Sequence, residues 1–369
     1  MTKSIESETS DQYIPINKGH FELEPPERIE RFKEILSFGW EKEYLEYRLL
    51  WEDLPQRKEI RKYPLLVDLE LSSKCNLHCP MCPTITERFK KLRRETFKEG
   101  LMDFALIKRI IDEVHPHIYS LRLSWVGEPT LHPRLSDSIY YAKKCGIKEV
   151  SFLTNGSKLH LDYMKRLIDA GLDIMTVSID GMGDTYNRIR SPLRFDQTIN
   201  KLTELRRYMD VTGTKKPLIK IQGVWPAIRE NPEHYYNTFS PLVDLIAFNP
   251  LIDYLHKDVD ILYADNFSCP QPYQRVTVSA DGRAAMCSND DLVGVIVGDA
   301  KTQSIYDIWH GNEMNHVREL HGRNSGFLEI VPCSNCYYPR KVETNETALI
   351  NGRLVVIENY VNRIQEIGK

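Results

Sequence analysis

The feature that most constrains this chain is an alternation of strand-like and helix-like segments between residues 64 and 249. Leu65, Val67, Leu69 and Leu71 occupy every second position of one run, the period of a strand. A helical stripe follows at 101–115, with Leu106, Ile107, Ile110, Ile111 and Val114 on one side. Strand-like runs recur at 120–126, 149–154, 175–179, 218–224 and 245–249, separated by helix-like runs at 133–144, 161–170, 195–209 and 232–243. Strands alternating with helices build parallel βαβ units, and right-handed crossovers roll such a series into a curved sheet. The pattern predicts an α/β fold, a partial (β/α)6 TIM-like barrel. Six units cannot close a barrel built for eight, so one side stays open.

The flanks read differently. Residues 1–63 form a polar tail, ending at Glu24-Pro25-Pro26, and then one or two amphipathic helices. The barrel spans 64–255. In 256–345, an alternating run at 274–279 turns through Ala280-Asp281-Gly282, a strong hairpin signal, and 304–320 is helical. Residues 346–369 predict a short strand at 354–357 and an amphipathic helix. With 41% hydrophobic and 27% charged residues, disorder is excluded. The balance of 49 Lys and Arg against 52 Asp and Glu argues against a nucleic-acid partner. No apolar run approaches the roughly 18 residues of a membrane span. The chain starts without an apolar signal segment, which predicts a cytoplasmic location and reduced thiols, so clustered cysteines point to metal.

Seven of the eight cysteines fall into two groups. Cys75, Cys79 and Cys82 lie in the loop after the first strand, where parallel barrels gather their chemistry. Three thiolates can hold three irons of a [4Fe–4S] cube and leave the fourth open to a ligand; zinc completed by His78 or a distant residue is the alternative. Cys269, Cys287 and the Cys333-x-x-Cys336 pair can converge at the open end of the predicted hairpin. Four thiolates saturate a cube or a zinc ion, leaving electron transfer or structural support as the role. Cys145 falls between a helix and the amino end of a strand and reads as a half-buried packing residue.

The Cys75-x-x-x-Cys79-x-x-Cys82 motif resembles that of the radical S-adenosylmethionine (SAM) enzymes, and the likeness extends from about residue 64 to 340. Val126-Gly127-Glu128-Pro129 is similar to the family's Gly-Gly-Glu-Pro motif, with Val126 in place of the first glycine. The resemblance implies that Gly127, Glu128 and Pro129 hold the SAM amino group. Thr154-Asn155-Gly156 and Ser178-Ile179-Asp180-Gly181 match at later strand ends. They imply Thr154, Asn155 and Asp180 as SAM-site residues, Ser178 as a ribose ligand, and Arg188 or Arg190 as partner of the SAM carboxylate. Met81 stands where the family often has an aromatic residue. The second cysteine group, with 12 residues between Cys269 and Gly282 and four between Gly282 and Cys287, resembles the SPASM/twitch extension. It implies one auxiliary [4Fe–4S] cluster on Cys269, Cys287, Cys333 and Cys336.

The implied activity is reductive cleavage of SAM to a 5′-deoxyadenosyl radical that abstracts hydrogen, fed by a low-potential donor such as flavodoxin or ferredoxin. The N-terminal segment around Trp40 and Trp51 resembles that of radical SAM proteins of sugar and glycan biosynthesis and is short for a peptide-binding domain. A small carbohydrate-like substrate, a sugar, aminocyclitol or nucleotide sugar, is therefore expected, and a saturated second cluster able to accept the substrate radical's electron implies net oxidation. The basic run Arg88-Phe89-Lys90-Lys91-Leu92-Arg93-Arg94 is a candidate phosphate contact or a solvated surface. The alternatives are a peptide or protein maturase, a sugar epimerase or dehydratase, and a zinc-stabilised binding scaffold.

Overall fold

In the computed structural model, strands β2 (Leu66–Leu69), β3 (Ser120–Arg122), β4 (Glu149–Thr154), β5 (Ile174–Ser178), β6 (Leu218–Val224) and β7 (Leu245–Asn249) stand side by side in chain order. All five pairings are parallel. The structure describes residues 12–15, 21–87, 89–91, 99–251, 258–291, 293–363 and 366–367. Sequential order with right-handed crossovers places the connecting helices on one face and leaves the other to curl around a lumen. The residues divide accordingly. Val67, Leu69, Leu121, Val150, Met175 and Ile219 pack into the main core with the helical stripe Ile107, Ile110 and Ile111. Burying each such side chain contributes about 1.5–3 kcal/mol. The alternate positions Asp68, Arg122, Ser151, Thr176, Ser178 and Gln222 take the opposite face.

The six-stranded sheet has both edges covered. On one side β1 (Phe21–Glu22) pairs antiparallel with β7. The expected tail thus contributes a strand, and Glu24 just beyond it is buried, accepting from Tyr236 Oη at 2.9 Å and Ile246 N at 2.8 Å. On the other side β8 (Arg275–Val278) runs parallel to β2, then turns through Asp281-Gly282 into β9 (Arg283–Ala285) and on to β10 (Ile296–Asp299). The expected hairpin exists, and it extends the barrel's own sheet to ten strands. Helices α1 (Pro26–Ser37) and α2 (Glu41–Arg57) match the amphipathic prediction. α2 contributes Tyr47, Trp51 and Leu54 to a second apolar cluster with Leu65 and Leu66.

Two expectations are corrected. The helix expected over 304–320 is two helices, Ile305–His310 and Asn312–His321, separated at Gly311 in extended conformation (φ −66°, ψ 158°). The helix expected at the C-terminus is absent from the described residues. β11 (Val342–Ile350) and β12 (Arg353–Tyr360) form an antiparallel hairpin instead. Asn351 and Gly352 both have positive φ, 50° and 74°, as a two-residue hairpin turn requires. Ile350 and Ile357 face inward and Leu349 and Leu354 outward, so strand alternation overrides the helical reading.

Candidate active site and cluster sites

The first three cysteines occupy a loop that leaves β2 at its carboxyl end. Gly127 explains how the next strand end reaches it. A Cβ on Gly127 would stand 2.1 Å from Ser72 O and 2.8 Å from Lys74 O. Without a side chain, the Val126-Gly127-Glu128 segment lies directly on the backbone before Cys75, and Glu128 N donates to Lys74 O at 2.8 Å.

Glu128 then locks the third strand end in place. Its Oε1 accepts from Thr130 N at 3.0 Å, Thr130 Oγ1 at 2.6 Å and Thr154 Oγ1 at 2.7 Å, while Oε2 accepts from Asn155 N at 2.7 Å. Oε1 is saturated within the chain, and Oε2 keeps capacity for one more donor. Asn155 carries the linkage back to the cysteine loop. Its Nδ2 donates to Asn76 Oδ1 at 2.8 Å and approaches Cys75 Sγ at 3.7 Å. Pro129 is buried at the start of the turn Pro129–Leu131.

At the fourth strand end Asp180 is buried, accepting from Val224 N at 2.8 Å and from Arg190 Nε at 2.6 Å. Arg190 is thus committed to Asp180. Burial opposes its charge, but Asp180 and the Cys79 thiolate outweigh that and hold the guanidinium pKa above its ordinary value. Arg188 is exposed. The Ser178 hydroxyl makes no hydrogen bond among the described residues and lies in register with Gln222. Of the basic run, Phe89, Lys90 and Lys91 are described, with Lys90 paired to Glu87 at 2.9 Å; Arg88, Leu92, Arg93 and Arg94 lie outside the described residues.

Burial pushes the Cys79 thiol up to about 11, with Arg190 pulling it down and Cys82 and Cys75 raising it. Cys75 and Cys82 are raised as well, chiefly by burial. Three desolvated thiols that repel one another as thiolates call for a cation between them.

The second group shows the same electrostatics more strongly. Cys269, Cys287, Cys333 and Cys336 line one small cavity with His321 and Tyr338. Burial raises all four thiols, and Cys333 feels the other three. His321 Nε2 stands 3.4 Å from Cys333 Sγ, Tyr338 N donates to Cys336 Sγ at 3.4 Å, and Asn289 Nδ2 approaches the same sulfur at 3.9 Å. A four-iron cube takes one thiolate per iron, so its ligands stand farther apart than those of a single ion. The donor sets fit such clusters.

The two sites are joined. Trp125, on the loop carrying Glu128, donates Nε1 to the carbonyl of Ser288, the residue after Cys287, at 2.7 Å. Sequence reasoning missed Trp125, His321, Asn289 and the lumen charges Asp68 and Arg122. Asp68 and Glu70 inside an otherwise apolar strand were a readable signal, since buried parallel strands run near-continuously apolar.

Comparison with known proteins agrees with this geometry. Residues 69–218 match the radical SAM superfamily and residues 269–337 match SPASM, an iron–sulfur cluster-binding domain. The first implies SAM with a [4Fe–4S] cluster and the second auxiliary iron–sulfur binding. The chain is 32% identical over 159 residues to the tungsten-containing aldehyde ferredoxin oxidoreductase cofactor-modifying protein of Pyrococcus furiosus, covering 42% of each. It is 26% identical to the AdoMet-dependent heme synthase of Methanosarcina barkeri, covering 48% of this chain and 50% of that protein. The chain therefore spans 42% to 50% of the length of these two relatives. The structure of BtrN in complex with AdoMet and 2-DOIA superposes with a TM-score of 0.52 at 17% identity, covering 74% of this chain and 92% of BtrN. At that identity the likeness is one of fold.

Proposed function

The chain belongs to the radical SAM superfamily and carries a C-terminal SPASM-type iron–sulfur domain, and from that premise we propose that it is an oxidoreductase acting on a small carbohydrate-like substrate. The observation that carries the reading is the assembly of Cys75, Cys79 and Cys82 under Gly127 and Glu128 at the carboxyl ends of a parallel sheet. When bound at that site, SAM supplies a radical that takes hydrogen from an unactivated C–H bond.

The chain's own residues do the positioning. Cys75, Cys79 and Cys82 hold the cluster. Glu128 Oε2 and the backbone of Gly127 and Pro129 take the SAM amino group. Ser178, with its uncommitted hydroxyl, takes the ribose, while Thr154, Asn155, Asp180 and Arg190 fix the strand ends around it. Exposed Arg188 is the remaining candidate for the SAM carboxylate. Cys269, Cys287, Cys333 and Cys336 would hold the auxiliary cluster, which would supply a one-electron acceptor for net oxidation. A flavodoxin- or ferredoxin-like donor supplies the first electron, in the cytoplasm. No helix among the described residues is long and apolar enough to cross a membrane.

The polar lumen supports a hydroxyl-rich substrate, since Asp68, Arg122, Thr176, Ser178 and Gln222 share that face. The test is anaerobic incubation of the reconstituted protein with deuterated candidate sugars. Label moving into 5′-deoxyadenosine is expected. Unlabelled 5′-deoxyadenosine with every sugar, alongside transfer from a deuterated peptide, would replace the substrate class.

A further inference from the structure

Inside the barrel, one carboxylate serves two guanidiniums. Asp68, whose side chain is fully enclosed, lies opposite Arg122 in the β2–β3 register, with its Oδ1 2.7 Å from Arg122 Nε. Its Oδ2 stands 3.3 Å from Arg275 Nη1 and accepts from Thr277 Oγ1 at 3.1 Å. Glu70, just past the end of β2, is turned to Ala280 N at 3.1 Å. Arg275 is backed by the Trp51 ring at 5.1 Å and donates from Nη1 to Ser288 Oγ at 3.4 Å.

Arg122 differs from Arg275 in what it leaves open. The Arg122 side chain retains 32% of its exposure against 10% for Arg275. The Asp68 contact is an ion pair without hydrogen-bond alignment. The two terminal nitrogens of Arg122 have no acceptor among the described residues. Burial also pulls the Arg122 pKa below its ordinary value, against the pull of Asp68. Only Nε of Arg122 is among the buried unpaired atoms, so the two terminal nitrogens face open space and are available to an incoming acceptor. Its position is equally specific. Arg122 precedes Trp125 and Glu128 on one chain segment, Arg275 reaches Ser288 beside Cys287, and Trp125 joins the two. The pair therefore lies between the three-cysteine and four-cysteine sites.

We propose that Arg122, braced by Asp68 and backed by Arg275, anchors an oxyanion of the substrate, a carboxylate or a phosphate, within the barrel between the two cysteine sites. The proposal rests on the radical SAM reading of the same lumen and narrows its substrate to an anionic one. The planar fork of a guanidinium matches two oxygens of either group at once, which fixes orientation as well as position.

Anaerobically reconstituted wild-type, Arg122→Gln and Arg122→Lys proteins are titrated calorimetrically with inorganic phosphate and, separately, with glucuronate. The wild type is expected to bind at least one anion, Arg122→Gln to bind it about tenfold or more weakly, and Arg122→Lys to fall between, keeping the charge but losing the fork. The anion that binds identifies the group. Should Arg122→Gln not fold, the wild-type to Arg122→Lys difference carries the test, since lysine still neutralises Asp68. Equal binding by the folded proteins, or no binding of either anion by the wild type, overturns the proposal. Wild-type 5′-deoxyadenosine formation with dithionite separates the two claims. SAM cleavage with indifference to anions defeats this inference alone. Arg122-dependent anion binding without SAM cleavage defeats the function and leaves the anion site.

Discussion

At the scale of single residues, the candidate site depends on an absent side chain and a committed ion pair. Replacing Gly127 by alanine forces a methyl group against the backbone of Ser72 and Lys74, neither of which is a flexible side-chain end. Overpacking of this kind costs about 1–3 kcal/mol, and here it separates Glu128 from the cysteine loop. Gly127→Ala is expected to reconstitute with about four irons per chain in place of about eight, since each cube holds four. Iron analysis after anaerobic reconstitution checks this, and full loading would show that the close approach is dispensable. Arg190 gives a second expectation. Arg190→Gln leaves Asp180 buried with Val224 N as its one remaining partner among the described residues and removes the cation beside Cys79. Breaking one side of a buried pair costs about 3–5 kcal/mol, so denaturant unfolding should report a loss of that order, with Arg190→Lys losing less. The cysteines and the Gly127-Glu128 motif were legible in the sequence because their chemistry is local in the chain. That Arg190 serves Asp180 was not, because the partner becomes visible only once Ser178–Asp180 and the following helix fold back on each other.

At the scale of elements, the six parallel strands were readable because their outward positions repeat an apolar residue every second place and the helices between them carry a continuous stripe. The C-terminal hairpin was the failure, and its cause is specific. The signal lay in Asn351-Gly352 between two alternating runs, and the reading followed the helical spacing of the last residues instead. The hairpin is pinned to the barrel. Asn351 N donates to Glu233 Oε1 at 2.7 Å, Asn351 Nδ2 to Asn237 Oδ1 at 3.0 Å, and Arg353 to Leu23 O. Its turn needs Gly352 at φ 74°, a conformation that costs a residue with a side chain about 1–2 kcal/mol. Gly352→Val is therefore expected to lower the thermal midpoint by a few degrees and leave iron content unchanged. A midpoint equal to wild type would mean that another turn replaces this one without cost.

At the scale of the molecule, the two cysteine sites belong to one sheet. β8 pairs parallel with β2, from Leu66 opposite Arg275 to Leu69 opposite Val278. Further ties reinforce that seam: Gln274 Nε2 donates to Trp51 O at 2.8 Å, Trp309 Nε1 to Arg61 O at 2.8 Å, and the backbone of Ile305 and Tyr306 to Glu113, each at 2.9 Å. A domain joined through backbone ladders on an interior strand has no edge at which to separate, so the barrel and the cysteine-rich extension should unfold as a unit. Thermal unfolding followed by tryptophan fluorescence and by cluster absorbance is expected to give coincident transitions. Val276→Pro tests the cause. Proline within a central strand removes a ladder hydrogen bond and clashes with its neighbours, at a cost of about 3 kcal/mol or more. Because Val276 lies opposite Val67, the damage enters the barrel as well as the extension. The variant should lose iron from both sites together. Retention of the three-cysteine cluster in Val276→Pro, with only the four-cysteine cluster lost, would mean that the barrel edge at β2 stands without its partner and that the shared sheet does not couple the two sites.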